Sequence, residues 1–500
     1  MDSKKEFYRK AYYDVCDKMN KKAIVSLTGP RQVGKTFAMK QLQKNFGGEY
    51  YNFKTMSTDK SDEVLDRIYT VVGDNEKANI YLDEITYLDD FEHCLASIAE
   101  AATLTIGSAK YHIVITGSQQ IYIENAMSIA FGARAGMARM DFISFTEYYD
   151  YIHCTSLAQS TISEINSQIS EDDYLDYLFN NSEFNCMGDG VEVYLKSCLD
   201  ETIQSHTNSF FKNNAVQVDE INMQNLKAVA YTIIVNLIDQ ISAKQIAEYP
   251  FLLKKVRTYY NQRAVSKEAV SKIRKEDFDA AVNASVLKNY KLDNRMSRMS
   301  KEKLLDCVRF LYQCKLINIT VYNPESESRL DSFFNGIYEK WNNADAFFSE
   351  YSVTFAYPHF FVGIMKDICE NLDIDKKDVF FGALLGALVE CTLKGQLAIR
   401  YGQPLHAAQK YNEHGVAVAE VDYFNDMFAM EISIRNKTLQ ETHFTKFDFG
   451  NRKKILTTKD ISKNNHGIIC IPYYTCQVAL ENNITFDAPT RNLQQMKMKL

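Results

Sequence analysis

The sequence contains few of the residues that interrupt regular structure, with only 7 Pro and 20 Gly among 500 residues. Hydrophobic residues make up 46% of the chain. This composition excludes a disordered chain and favours helix-rich globular domains. At ~100–200 residues per domain, the length corresponds to about three or four domains.

The chain also lacks long apolar runs and paired cysteines. No run reaches the ~18–20 apolar residues that span a bilayer, and the polar N-terminus has no signal-peptide core. The 11 cysteines form no Cys-x-x-Cys pair, which disfavours a structural zinc site and a disulfide framework. We therefore expect a cytoplasmic protein with reduced thiols and no membrane contact.

A strong positive charge is absent as well, since the net charge is −7. This disfavours a protein that coats nucleic acid non-specifically. Locally, however, residues 254–303 carry fourteen Lys or Arg against six Asp or Glu. Solvated helix faces explain such a run without any ligand, and a DNA contact through residues 254–303 is the alternative.

A phosphate-binding motif follows the first apolar run of the chain. Residues 23–28 predict a buried strand, and the helical pattern of residues 37–46 follows the sequence Gly29-Pro-Arg-Gln-Val-Gly34-Lys35-Thr36. In this strand–loop–helix context, a Walker A motif directs backbone N–H groups at phosphates, while Lys35 reaches the β/γ-phosphates and Thr36 binds Mg²⁺. The predicted cofactors are therefore ATP and Mg²⁺. The predicted nucleotide-binding residues are Gly29, Pro30, Arg31, Gln32, Val33, Gly34, Lys35, Thr36 and Phe37.

Two further strands end in polar residues. The apolar residues of Asn79-Ile-Tyr-Leu82 lead into Asp83 and Glu84, for which we predict a magnesium ligand and a base that orients or deprotonates water. Residues 111–117 lead into Ser118, the first candidate for contacting the attacking water or the γ-phosphate, with Thr116 as the second. The three strands should lie in one parallel sheet, with their carboxyl ends at one crevice.

The combination of these motifs resembles one known family. The runs GPRQVGKT, IYLDEI and ITGS, followed by Arg134 ten residues before Ser144-Phe-Thr-Glu147-Tyr, resemble AAA-type P-loop ATPases of bacteria and archaea that carry a C-terminal domain of restriction-nuclease-like fold. The resemblance implies that Arg134 contacts the γ-phosphate, in cis or from a neighbouring subunit. Arg139 is the rival candidate.

The middle of the chain predicts helices with few interruptions. Residues 225–238, 271–282 and 301–313 have helical patterns, and residues 315–322 alternate like a strand before a turn at Asn323-Pro324. Two helices and a hairpin are typical of a winged-helix module, which the family resemblance also implies. Such modules bind DNA in some proteins and serve as protein contacts or lids in others.

The C-terminal region predicts a helix over residues 380–390 and a hairpin that carries Asp422 and Glu431. This layout is similar to that of PD-(D/E)XK nucleases, in which acids bind Mg²⁺ and a lysine polarises water. Ser433 stands at the lysine position, with Lys437 as a substitute, and Gly386 stands at the helix acid position, with Glu390 as a substitute. We expect the fold without cleavage activity, completed by a strand over residues 467–474.

The predicted fold class is therefore α/β. It combines a P-loop ATPase domain over residues 1–150, a helical domain over 151–265, a winged-helix-like element over 266–344 and a degenerate nuclease-like domain over 345–500. The predicted function is Mg²⁺-dependent ATP hydrolysis that drives or switches the C-terminal domains, acting on DNA, on a protein partner or within a homo-oligomer. The alternatives are an ATP-regulated defence nuclease and a nucleotide-gated scaffold that scarcely hydrolyses ATP.

Overall fold

The computed structural model describes residues 6–30, 33–88, 90–102, 108–117, 120–179, 308, 311–312, 316–323, 351–356, 362, 379–413 and 417–486. The chain divides into two compact units. Among these residues, the N-terminal unit comprises 6–151, and the C-terminal unit comprises the others.

The N-terminal unit is built on a five-stranded parallel sheet with the strand order β2-β3-β4-β1-β5. Its strands are β1 (Ile24–Thr28), β2 (Glu49–Asn52), β3 (Asn79–Asp83), β4 (His112–Thr116) and β5 (Gly136–Arg139). Its helices are α1 (Lys10–Met19), α2 (Lys35–Phe46), α3 (Thr58–Gly73), α4 (Phe91–Ala102), α5 (Gln120–Phe131) and α6 (Phe145–His153), the last of which ends just beyond the unit. The predicted parallel sheet is confirmed, and β4 lies between β1 and β3.

Helices cover both faces of this sheet, because its strands are apolar on both sides. Ile80 and Ile113 belong to one buried cluster, which includes side chains of α3, α4 and α5. Their neighbours Tyr81 and Val114 belong to a second buried cluster, which includes side chains of α1 and α2. Successive strand residues point to opposite faces, so a continuous apolar run is what a doubly covered parallel strand requires.

The C-terminal unit contains two further sheets. Its elements are α7 (Ile162–Gln168), α8 (Glu171–Phe179), β6 (Ile317–Tyr322), β7 (Tyr351–Phe355), α9 (Val379–Tyr401), β8 (Leu405–Tyr411), β9 (Ala417–Val421), β10 (Tyr423–Phe424), β11 (Phe428–Glu431), β12 (Lys453–Thr458), β13 (Lys463–Asn465), β14 (Ile468–Pro472) and α10 (Tyr473–Glu481). One sheet has the order β7-β6-β8-β9 and the other the order β10-β11-β12-β14-β13.

Strand β6 was predicted within the winged-helix-like element, and the structure shows which strands it joins. It pairs with β7 in an antiparallel arrangement and with β8 in a parallel one. Strand β6 is therefore part of a sheet whose other strands come from residues 351–421. The predicted helices over 225–238 and 271–282, most of the one over 301–313, and the basic run 254–303 lie outside the described residues.

The predicted C-terminal hairpin is confirmed, since Tyr423 and Phe424 of β10 pair with Met430 and Ala429 of β11. The Asn425 side chain accepts hydrogen bonds from the backbone N–H groups of residues 427 and 428, which closes the turn. The predicted closing strand was too long, because β14 ends at Pro472 and α10 begins at Tyr473. No helix within the described part of the chain is long and apolar enough to cross a membrane.

Candidate functional site

The P-loop connects the end of β1 to the first residue of α2, as predicted. Gly29 has a φ of 148°, and a Cβ placed there would lie 1.9 Å from the Met140 carbonyl oxygen, so the close approach of β1 to the chain after β5 requires glycine. Gly34 has a φ of 98° immediately before α2. The loop therefore uses glycine where other residues would be strained or would collide. Arg31 and Gln32 lie outside the described residues.

Lys35 begins α2, and its side chain lies over the loop. Its ammonium group donates hydrogen bonds to the carbonyl oxygens of Gly29, at 2.8 Å, and Pro30, at 2.6 Å. The residue is buried, as is Val33, whereas the ring of Phe37 is largely exposed. The Lys35 ammonium group, which was predicted to reach the phosphates, therefore contacts the P-loop backbone directly.

Thr36 and Asp83 meet at the predicted magnesium position. The Thr36 hydroxyl donates a hydrogen bond to Asp83 Oδ2 at 2.9 Å, which joins the start of α2 to the end of β3. Asp83 is buried, with 1% of its surface exposed. A hydroxyl and a carboxylate are oxygen donors of the kind that Mg²⁺ prefers, so these two residues fit the predicted metal.

Two residues of β2 complete the surroundings of Asp83, and the sequence motifs did not identify them. Tyr50 donates a hydrogen bond to Asp83 Oδ2 at 2.6 Å, and the Asn52 side-chain amide donates one at 3.0 Å. Residues 50 and 52 share one face of β2, and Asn52 pairs in register with Asp83. Burial raises the pKa of Tyr50, and its hydrogen bond to Asp83 raises it further, so Tyr50 remains a donor at neutral pH.

Glu84 follows β3 directly in a backbone conformation that is unusual for its residue type. Its φ is 53°, in the left-handed region, and a short 3₁₀ turn over Ile85–Tyr87 follows. For a residue other than glycine, this conformation costs of order 1 kcal/mol and is concentrated at functional sites. The strained backbone turns the chain sharply at the residue predicted to act on water.

The end of β4 carries a buried hydroxyl, that of Thr116. Thr116 is fully buried, and its Oγ1 has no partner among the described residues. The Thr86 hydroxyl is in the same situation, and it lies 3.3 Å from the position that a Cβ on Gly117 would take. Buried polar groups are normally paired, so both hydroxyls are candidates for contacting a ligand. Ser118, the first candidate at this strand end, lies outside the described residues.

The two candidate arginines lie at opposite ends of β5, an edge strand of the sheet. Arg139 is the last residue of β5 and pairs in register with Thr28, beside the P-loop. Arg134 precedes β5, and its guanidinium donates hydrogen bonds to the Phe131 and Ala130 carbonyl oxygens at the end of α5. The adjacent Ala133 carbonyl accepts a hydrogen bond from Lys22, before β1 begins. The structure therefore does not bring Arg134 to the P-loop of its own chain.

In the C-terminal unit, the predicted nuclease-like acids are paired with lysines. Glu390 lies on α9 and forms an ion pair with Lys394 at 2.5 Å. Glu431 ends β11 and forms an ion pair with Lys437 at 2.6 Å. Gly386, where the resemblance places an acid, packs near the apolar Ile434 side chain. The lysine next to Glu390 therefore comes from its own helix, at a position that the family pattern does not indicate.

Asp422 lies between β9 and β10 and shares the surroundings of Lys394 with Glu390 and Glu420. Burial raises the pKa of Asp422 well above its ordinary value, and the two neighbouring carboxylates raise it further. Burial alone would lower the pKa of Lys394, but the surrounding acids raise it. The residues that the structure describes contain no group of three or more His, Cys, Asp or Glu placed to hold a metal ion.

Comparison with known proteins places the nucleotide site within a family domain. Residues 21–149 match the AAA domain family, which covers about a quarter of the chain. Comparison with curated proteins gives no match. Residues 21–149 are thus similar to an AAA domain, and this match includes every motif of the N-terminal sheet.

Two solved structures are similar over a larger part of the chain. One is the Walker-type ATPase of Pyrococcus abyssi, with 12% identity and a TM-score of 0.29, covering 62% of this chain and 91% of the other. The second is a DNA replication initiation factor, with 12% identity and a TM-score of 0.23, covering 61% of this chain and 91% of the other. At these TM-scores neither likeness supports an argument, so the fold assignment depends on the sheet and the P-loop.

Proposed function

We propose that this protein hydrolyses ATP in the presence of Mg²⁺ at the P-loop of its N-terminal unit. The observation that carries the proposal is the 2.9 Å hydrogen bond between Thr36 and Asp83, because it joins the phosphate-binding loop to the carboxylate strand. Glu84 follows Asp83 directly, so the residue for metal binding and the residue for water activation lie side by side.

Each residue has a defined role in this proposal. Backbone N–H groups of the P-loop and the Lys35 ammonium bind the phosphates, while Thr36 and Asp83 hold Mg²⁺. When bound, Mg²⁺ neutralises charge that develops on the phosphate oxygens. Glu84 accepts a proton from the attacking water or orients it, and the Thr116 hydroxyl donates a hydrogen bond from the side.

We further propose that hydrolysis switches or drives the C-terminal unit, which then acts on DNA or on a protein partner. Gly386 and Ser433, which stand where the nuclease pattern has a metal-binding acid and a lysine, support an output other than strand cleavage. Cleavage would require a carboxylate that binds a metal ion and a lysine that polarises the attacking water.

The test compares the wild-type protein with Glu84→Gln in Mg²⁺-dependent ATP turnover. We expect turnover to fall by about a hundredfold or more in the variant, because glutamine cannot accept the proton. ATP binding should stay within about threefold of wild type, since the amide has the size of the carboxylate and the P-loop is unchanged. Wild-type turnover in Glu84→Gln would remove Glu84 from the mechanism.

A second variant and a DNA substrate extend this experiment. Lys35→Ala should lose binding as well as turnover, which separates phosphate binding from water activation. Supercoiled plasmid added to the assay shows whether DNA stimulates turnover, and gel electrophoresis of the same plasmid shows whether it is cut. Cleavage that disappears in Asp422→Ala would support the nuclease alternative in place of the proposed output.

A further inference from the structure

Arg9 is a buried cation next to the P-loop for which the proposed mechanism has no role. It precedes α1, 6% of its surface is exposed, and its guanidinium donates a hydrogen bond to the Val33 carbonyl oxygen at 2.8 Å. The same group donates to the Asp141 carbonyl oxygen at 2.7 Å. Two more hydrogen bonds, at 3.0 and 3.2 Å, reach the two carboxylate oxygens of Glu147 on α6.

The contact with Val33 determines how the next backbone amide points. The Val33 carbonyl and the Gly34 N–H belong to one planar trans peptide unit, so they point in opposite directions. Because Arg9 binds the carbonyl, the Gly34 N–H points away from the Arg9 guanidinium. In a P-loop, the inward N–H groups are the ones that contact phosphate. Gly34 alone cannot fix the direction of its own N–H group, because glycine permits many backbone conformations.

Glu147 fixes the position of Arg9 in turn. Its carboxylate also accepts hydrogen bonds from the backbone N–H groups of Lys10, at 2.7 Å, and Ser144, at 3.0 Å. Burial alone would raise the pKa of Glu147, but the Arg9 charge and these hydrogen bonds hold it below its ordinary value. The carboxylate therefore stays charged at neutral pH, and the two-point contact restricts the orientation of the guanidinium.

We propose that Arg9 is a positioning residue that keeps the Gly34 amide directed at the bound phosphates, and that Glu147 keeps Arg9 in place. This inference rests on the proposed function, because it requires ATP to bind the P-loop. It assigns a role to the Ser144-Phe-Thr-Glu147 segment, which is remote in sequence from the P-loop.

The experiment measures the Kd of a non-hydrolysable ATP analogue with Mg²⁺, and the thermal midpoint without nucleotide, for each variant. Arg9→Gln should raise Kd about tenfold or more, because a charge-assisted hydrogen bond that orients the amide is lost. Glu147→Gln should raise Kd in the same direction. The double variant should be little worse than Arg9→Gln alone, since both residues act through one contact.

Arg9→Lys separates positioning from stability. Its ammonium keeps the charge next to Glu147, but a single nitrogen cannot reproduce the planar fork that reaches Val33, Asp141 and Glu147 together. We expect its thermal midpoint to return toward wild type while Kd stays raised. Arg9→Lys also carries the test if Arg9→Gln does not fold.

Arg67→Gln is the matched control, because Arg67 forms ion pairs with Glu49 and Glu76 on the same unit. It should bind the analogue like wild type. A wild-type Kd in folded Arg9→Gln, or full recovery of Kd in Arg9→Lys, would overturn the role of Arg9. Absence of analogue binding by the wild-type protein would instead overturn the proposed function.

Discussion

Asp83 is the residue of the candidate site at which three side-chain hydrogen bonds converge. A single oxygen, Oδ2, accepts hydrogen bonds from Thr36, Tyr50 and Asn52. Three donors satisfy a buried carboxylate that would otherwise be costly to desolvate. They also fix the direction of the carboxylate, so its geometry is set before a metal ion binds.

Tyr50→Phe should raise the Mg²⁺ concentration required for half-maximal ATP turnover. The substitution removes one donor to Asp83 without changing the shape of the ring, and groups that orient a metal ligand typically contribute about 10–100-fold to metal affinity. A Mg²⁺ titration at saturating ATP measures the change, and we expect it to be about tenfold. Tyr51→Phe is the control, because the Tyr51 hydroxyl bonds to Glu49 and not to Asp83. Equal Mg²⁺ requirements in the two variants would contradict the role given to Tyr50.

Residues of the site could be predicted where a motif marks them, and not elsewhere. The Walker A glycines, Lys35, Thr36 and Asp83 stand in a recognisable order, and the structure brings Thr36 to Asp83. Tyr50 and Asn52 have no motif, and they reach Asp83 only because β2 pairs with β3 in one particular register. Register depends on the pairing of whole strands, so the local sequence does not reveal it.

At the scale of elements, the strand–loop–helix unit depends on one close backbone approach. The N–H group of Met140, just after β5, donates a hydrogen bond to the carbonyl oxygen of Thr28, the last residue of β1. That contact brings the Met140 carbonyl against Gly29. The sequence predicted the P-loop glycine for its backbone freedom, and the structure adds that its missing side chain is required for packing.

Gly29→Ala should destabilise the N-terminal unit and weaken ATP binding together. The new Cβ would collide with the Met140 carbonyl oxygen, and the φ of 148° is unfavourable for alanine, so we expect a loss of more than about 2 kcal/mol. Thermal unfolding with and without ATP measures both effects. Gly73→Ala is the control, because no atom lies within 4 Å of a Cβ there and the residue ends α3. An unchanged midpoint in Gly29→Ala would show that β5 can move away.

Helix α9 illustrates why the C-terminal site was harder to predict. The apolar pattern indicated a helix over residues 380–390, but α9 continues to Tyr401 and carries Lys394 into a fully buried position. Buried lysine is rare, and its place is explained only by acids that come from the same helix and from the segment around β9. Glu390 lies one helical turn from Lys394, which sequence spacing does show. Glu420 and Asp422 meet Lys394 through tertiary packing, which sequence spacing does not show.

Asp422→Asn should stabilise the C-terminal unit at neutral pH. The pKa of Asp422 is higher in the folded than in the unfolded chain, so the folded state binds more protons. The contribution of Asp422 to stability is therefore greatest below its unfolded pKa of about 4 and is lost as pH rises through the folded value. We expect a wild-type midpoint that falls as pH rises from about 5 to about 8, a flatter profile in the variant, and a higher midpoint in the variant than in wild type at pH 8.

Calorimetry across this pH range measures the effect, and added ATP identifies the transition that belongs to the N-terminal unit. Asp426→Asn is the control, because this acid lies in the turn of the same hairpin with 94% of its side chain exposed. The predicted direction of the stability change would be wrong if Asp422→Asn lowered the thermal midpoint at pH 8. In that case the attraction between Asp422 and Lys394 would outweigh burial and the neighbouring carboxylates.

At the scale of the whole molecule, the strands of the N-terminal sheet lie close together in the sequence, whereas those of the sheet that contains β6 are separated by long segments. Residues 24–139 supply all five strands of the N-terminal sheet, and motifs mark the ends of three of them. The sheet that contains β6 draws strands from residues 317–421, across long intervening segments. Local patterns therefore predicted the N-terminal architecture well, whereas the membership of β6 depends on contacts distant in sequence.

The position of Arg134 bears on whether several copies of the chain assemble to form the complete site. It precedes β5, whose first residue pairs with Val25 near the start of β1, whereas the P-loop follows the end of β1. A five-residue strand spans roughly 15 Å, so Arg134 lies near the amino ends of β1 and β5, whereas the P-loop lies at the carboxyl end of β1. A contact between Arg134 and a γ-phosphate therefore requires the nucleotide of a second copy. Within one chain, Arg134 binds the last carbonyl groups of α5.

Arg134→Ala should therefore lower the thermal midpoint, by an amount equivalent to about 1 kcal/mol, and leave ATP turnover per site unchanged in dilute, monomeric protein. A loss of turnover under those conditions would contradict the placement of Arg134 at the end of β5 that is remote from the P-loop.

Sedimentation with and without ATP identifies the protein concentration at which copies assemble, and turnover is then compared below and above that concentration. If Arg134 acts in trans, Arg134→Ala loses only the assembled rate, and mixing it with Lys35→Ala restores part of that rate. Restoration follows because a mixed assembly contains sites that combine an intact P-loop with an intact arginine from the neighbouring copy.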